Sequence, residues 1–152
     1  ADRVGAFSHG YTYSGHPIGV ACANAVLDTV EREDLPGNAR TTGAYFQDRL
    51  RQVFAQMPIV GEVRGVGLMA ALEFVADRDR KQRFDPALKV GAKVSAAARS
   101  RGLIARAMPH GDILGFAPPL VTTREEVDAI VDIAEAAVRE VMDQLTREKA
   151  VA

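Results

Sequence analysis

Tryptophan is absent from these 152 residues, cysteine occurs once, and aromatic residues together make up only 6%. A lone cysteine closes no disulfide within the chain, so a packed core rather than cross-links has to supply stability. Cys22 stands among Ala21, Ala23 and Ala25, where a small buried hydrophobe is expected rather than a nucleophile or a metal ligand. No apolar run approaches the ~20 residues of a membrane-spanning helix. The first residues show no charged-then-apolar secretory pattern, and a cytoplasmic protein with no membrane contact is expected. Excess charge is lacking too: 19 basic against 20 acidic residues leave a net charge of −1. Without a basic stripe or a basic amphipathic helix, nucleic acid is not an expected partner. His9, His16 and His110 are the only histidines. None lies at ligand spacing from another histidine, cysteine or carboxylate pair, so no metal site is expected.

What the chain does have is the ordinary balance of a globular protein, 47% hydrophobic and 26% charged, at a length suited to one core. The opening ADRVGAFSHGYTYSGH reads as a strand end followed by an ordered loop. Pro17 suits the first turn of a helix that runs through IGVACANAVLDTVERED and stops before Leu35-Pro36-Gly37. A second helix is expected from about Asn38 to Met57, with Phe46, Leu50, Val53, Phe54 and Met57 at helical spacing. Val66, Leu68, Ala70, Leu72 and Phe74 alternate and predict a strand entered through Gly61, Gly65 and Gly67. A third helix is expected from Pro86 to Ser100, then two short strands in LIARAM and DILGF, paired like a hairpin across Pro109-His110-Gly111. Thr123 with Glu126 forms a capping box for the last helix. The sum is an α+β fold, a small antiparallel sheet covered by helices on one side.

Candidate chemistry concentrates in two places. His9 to Pro17, HGYTYSGHP, sets the hydroxyls of Tyr11, Thr12, Tyr13 and Ser14 beside two glycines, just ahead of a helix N-terminus. Backbone N–H groups and a short hydroxyl there suit a phosphate or carboxylate. The same hydroxyls equally suit capping of the following helix. Arg106 in LIARAM has apolar neighbours and a glycine-containing turn behind it. An arginine so placed either pairs with a carboxylate of the fold, reaches to water, or serves a ligand. Arg64 in EVRGVG carries the same alternatives. GVGLMAAL follows no expected strand and opens no helix, so its glycines are assigned to a turn and to close strand packing rather than to a nucleotide loop.

HGYTYSGHP ahead of an alanine-rich helix resembles a hallmark of the class III aminotransferases that depend on pyridoxal phosphate. EVRGVGLMAALEF, a helix, LIARA, a Gly-Asp turn, FAPPL and TREEVD follow in that family's order, so the resemblance runs from about Ser8 to Leu145. It is greatest to the ω-transaminase (amine:pyruvate) branch, because Arg106 precedes the GD…APPL segment. The resemblance implies a fold-type-I enzyme working as a homodimer with its cofactor between subunits. It implies that residues 1–34 are the end of the large domain, with the phosphate-binding loop and an interdomain helix, and that 35–152 form the C-terminal small domain. Thr12 would bind the cofactor phosphate of the partner subunit, assisted by the N–H of Thr12 or Tyr11. Arg106 would swing in to a substrate carboxylate and out for an uncharged amine. The family's cofactor-bearing lysine lies upstream of this segment, and Lys81, Lys89, Lys93 and Lys149 all follow it. No catalytic residue is therefore expected in this stretch, which by itself would be inactive. The implied substrates are an amine or ω-amino acid and a keto acid such as pyruvate. A decarboxylase or aminomutase on the same scaffold, or a free-standing binding or dimerisation domain, are the alternatives.

Overall fold

The computed structural model describes Gly5 and residues 9–148, so the strand end expected in the opening residues lies outside the described residues, Gly5 apart. The chain divides into two compact units, Ala1–Leu35 and Pro36–Ala152.

In the first unit, a turn over Tyr11–Gly15 leads into α1, Pro17–Arg32. Pro17 occupies the first helical position, where its missing N–H costs no bond, and His16 Nδ1 accepts from the Gly19 N–H at 3.4 Å. Cys22 is exposed, not buried as expected. One helix and one turn are too little chain to enclose a helix face, and α1 buries none of its residues.

The second unit holds a four-stranded antiparallel sheet, helices and one core. Helix α2 spans Leu35–Phe54, starting earlier than expected because Pro36 and Gly37 fit a first helical turn, whose N–H groups need no helical acceptor. The alternating segment is not one strand but two: β1, Val60–Val66, and β2, Met69–Phe74, pair from Val66↔Met69 back to Val60↔Phe74. Gly67 at the turn takes φ +55. Its turn role holds, although a strand does precede it. The turn seats against α2 at Gly43, where a Cβ would lie 2.4 Å from the Gly67 carbonyl carbon. Gln47 Nε2 fastens it by donating to the carbonyls of Gly67 (2.9 Å) and Met69 (3.0 Å).

The helix expected from Pro86 is interrupted: a 3-10 turn, Pro86–Leu88, ends at Lys89 with φ +49, and α3 then runs Val90–Arg99. Strands β3, Arg106–Ala107, and β4, Ile113–Phe116, pair antiparallel as expected, giving the sheet order β1-β2-β4-β3. Helix α4, Arg124–Arg147, begins with the complete Thr123–Glu126 capping box. One face of the sheet, with Ala70, Leu72, Phe74, Leu114 and Phe116, joins side chains of α2, α3 and α4 in a single buried cluster. Phe46 meets Phe116 edge to face, centroids 5.9 Å apart. Alternation along a strand sends the intervening residues to the other, uncovered face, and that face positions the candidate site.

Candidate functional site

The uncovered face has a regular rung. Arg64 pairs with Ala71, Ala71 with Gly115, and Gly115 with Arg106. Directly paired residues project on the same side of a sheet, so an arginine stands at each end of a row whose middle carries a methyl group and a hydrogen. Adjacent strands lie about 4.8 Å apart, which separates the two arginine Cα atoms by roughly 14 Å. The whole rung lines a cavity of about 670 Å³, together with Ile104, Met108 and His110 among others. That is an ordinary size for a small-molecule site.

The two arginines differ in what holds them. Arg64 Nη1 lies 2.6 Å from Glu62 and 2.5 Å from Glu73. These carboxylates, Glu73 first, raise its pKa above the usual arginine value. Its charge is spent inside the fold. Arg106 is exposed and makes no ion pair or side-chain hydrogen bond among the described residues. It stands on a strand of two residues followed by the Met108–Asp112 turn, in which Gly111 takes φ +73. Neither Ala71 nor Gly115 is marked by the sequence alone, since their place beside the arginines depends on strand register.

The other candidate, in the first unit, is the turn before α1. Ser14 Oγ accepts from the Tyr11 N–H (2.9 Å), and the Ser14 N–H returns a bond to the Tyr11 carbonyl (2.9 Å). The His16 side chain caps the helix. The Tyr11 N–H, expected to assist at a phosphate, is thus taken by Ser14 instead, and helix capping does not use the Thr12 hydroxyl. Among the described residues that hydroxyl and the N–H groups of Thr12 and Tyr13 make no hydrogen bond. Three donors at neighbouring positions match a phosphate. Tyr11 is 73% exposed and Tyr13 80%, so nothing in this unit screens the donors from a ligand. The residues present thus fit the phosphate end of pyridoxal phosphate, and no lysine in the first unit is available for its carbonyl.

Comparison with known proteins identifies the family. The family model for aminotransferase class-III matches residues 1–138. An uncharacterized aminotransferase of Sinorhizobium fredii is 78% identical over 97% of this chain and 32% of its own length. A diaminobutyrate–2-oxoglutarate transaminase of Halomonas elongata is 60% identical over 98% of this chain and 32% of its own. Among solved structures, a thermostable (S)-enantioselective omega-transaminase from Thermomicrobium roseum superposes with TM-score 0.83 at 44% identity, covering 94% of this chain and 31% of that one. The chain spans about a third of the length of the curated relatives it matches. A family model matched over residues 1–138, with relatives 78% and 60% identical over nearly all of this chain, places the chain in the class III aminotransferase family.

Proposed function

We propose that the protein to which this chain belongs is a transaminase using pyridoxal phosphate, and that it moves an amino group between an amine or ω-amino acid and a keto acid. We further propose a cytoplasmic homodimer in which residues 1–34 close the large domain and 35–152 form the small one. The cofactor supplies the carbonyl group that carries the amino group between the two substrates. This chain's residues bind and orient. Thr12 Oγ, with the N–H groups of Thr12 and Tyr13, holds the phosphate. Tyr11 fixes the turn through its two bonds to Ser14.

Arg106 selects the substrate. A guanidinium matches a carboxylate with two parallel bonds. An enzyme that takes both a keto acid and a plain amine needs that charge in one half-reaction and out of the way in the next, because an unpaired charge facing an apolar group is costly when desolvated. The observation that carries the reading is the contrast on one rung: Arg64 is clamped by Glu62 and Glu73, while Arg106 is unclamped and exposed. The Halomonas relative, named for 2-oxoglutarate, supports an acceptor bearing a carboxylate.

The test is Arg106→Ala in the full-length enzyme. The half-reaction with pyruvate or alanine should weaken by about 2–4 kcal/mol, as for truncation of one partner of a charge pair. The half-reaction with an amine lacking a carboxylate should change far less. Single-turnover rates for each half-reaction decide it, and equal losses in both would reduce Arg106 to a support of the fold.

A further inference from the structure

Gly115 sits mid-strand, where glycine is a poor choice. It offers no side chain to the sheet and gives up more chain entropy than any other residue. The usual reasons for a glycine fail here. Its φ lies outside the positive region that other residues avoid, and a Cβ placed on it would meet only ordinary neighbours, Met108 Sδ at 3.5 Å and the Arg106 carbonyl oxygen at 3.7 Å. Gly43, Gly61 and Gly65 are different, because a Cβ on any of them would fall under 3 Å from another atom. Backbone and packing within this chain thus leave position 115 free to carry a side chain. A bare mid-strand position marks a place where something else comes close to the backbone.

That place is defined. Gly115 is the direct cross-strand partner of Arg106, one strand spacing away on the uncovered face, and both line the same cavity. The next position along the rung is Ala71, hardly larger. From the Arg106 guanidinium toward Arg64 the rung itself therefore offers only backbone and one methyl group, with the Met108 side chain beside Gly115, and the cations at its two ends are unequal. We propose that Gly115 is a specificity-determining residue: its missing side chain keeps open the floor beside Arg106, so that the carbon chain attached to a carboxylate held there lies across β4. The substrate class this selects is carboxylates with an extended or branched chain, beyond the smallest keto acids. The inference rests on the carboxylate role of Arg106 given above.

Gly115→Val and Gly115→Ala in the full-length, cofactor-loaded enzyme test it. Valine is a strong strand former, so the melting temperature should hold or rise. KM for a branched or long-chain keto acid such as 4-methyl-2-oxopentanoate should rise by roughly tenfold or more, the usual scale for a misplaced methyl group in a tight site. KM for glyoxylate and pyruvate should change less than twofold. Should valine disturb folding, the alanine variant, whose added methyl has the room just described, must show the same size-ordered trend in weaker form. Uniform changes across the keto acids, or none, would overturn the proposal. A second readout needs no turnover: competitive binding of acetate, butyrate and 4-methylpentanoate, followed by thermal shift, should lose affinity in order of size in the variants and lose all size dependence of the Gly115 effect in Arg106→Ala. If the parent enzyme transaminates no keto acid, the proposed function fails. The carboxylate ladder still decides Gly115, and a flat ladder overturns it.

Discussion

Two hydroxyls two residues apart do different work in the turn before α1. Ser14 closes the turn on Tyr11, and the Thr12 hydroxyl is left over. In the full-length protein, Thr12→Ala should therefore weaken cofactor retention by about 1.5–3 kcal/mol, the scale of a hydrogen bond to a charged group. Ser14→Ala removes only an exposed turn contact and should cost less. Equilibrium dialysis of the cofactor from each variant measures this, and a larger loss in Ser14→Ala would reverse the assignment. The arginines teach the same lesson. Arg64 and Arg106 are indistinguishable as residue types, and only the carboxylates opposite one of them separate a structural charge from an available one.

Between elements, close packing and charge hold the second unit together. Gly43 of α2 admits the Gly67 backbone to a distance no side chain allows. Gly43→Ala should lower stability by about 1–3 kcal/mol through overpacking, even though alanine is the better helix former by about 1 kcal/mol. Denaturant unfolding of the full-length protein tests the sign, and a stabilised variant would show that the contact is slack. Helices α2 and α4 are latched by the Tyr45 hydroxyl donating to Asp128 (2.8 Å) and by Arg49 Nε, 2.9 Å from the same carboxylate. Arg124 stacks 5.2 Å over the Tyr45 ring. The Tyr45 hydrogen bond first, and Arg49 after it, hold Asp128 below its ordinary 3.8. The bond to Asp128, followed by desolvation, raises Tyr45 above 10.0. A lowered carboxyl pKa stabilises the fold above the unfolded value and loses that contribution as pH falls through the folded one. A raised phenol pKa stabilises below its unfolded value and loses it as pH rises past the folded one. The melting-temperature gap between parent and Asp128→Asn should thus narrow below about pH 4, and that between parent and Tyr45→Phe above about pH 10. A gap constant across the whole range would mean that the ionisation of Asp128 and Tyr45 adds nothing to the latch. The effect stays modest, because these side chains are partly exposed and screened by water.

For the molecule as a whole, the chain as given carries lysines only in its second unit and beyond the described residues, at positions 81, 89, 93 and 149. None is tied to the anion-ready turn by sequence. Schiff-base chemistry requires a positioned amine of lowered pKa. This polypeptide alone, mixed with pyridoxal phosphate and reduced with borohydride, should therefore show only scattered substoichiometric labelling in peptide maps. A single stoichiometrically labelled lysine would contradict that.

The sequence by itself determined the family, the α+β class, the capped final helix and the β3–β4 hairpin, because each rests on local signals: periodicity, a Thr123–Glu126 box, a Pro-His-Gly turn. It also marked HGYTYSGHP and Arg106. It merged β1 with β2, because the apolar pattern Val66, Leu68, Ala70, Leu72, Phe74 runs straight through the turn at Gly67 and Leu68, although Val66 is exposed beside Met69 and the other four are buried. With that hairpin missed, the rung Arg64–Ala71–Gly115–Arg106 was out of reach. Register across four strands is a product of long-range pairing, and it alone set one arginine among glutamates and the other beside a bare strand.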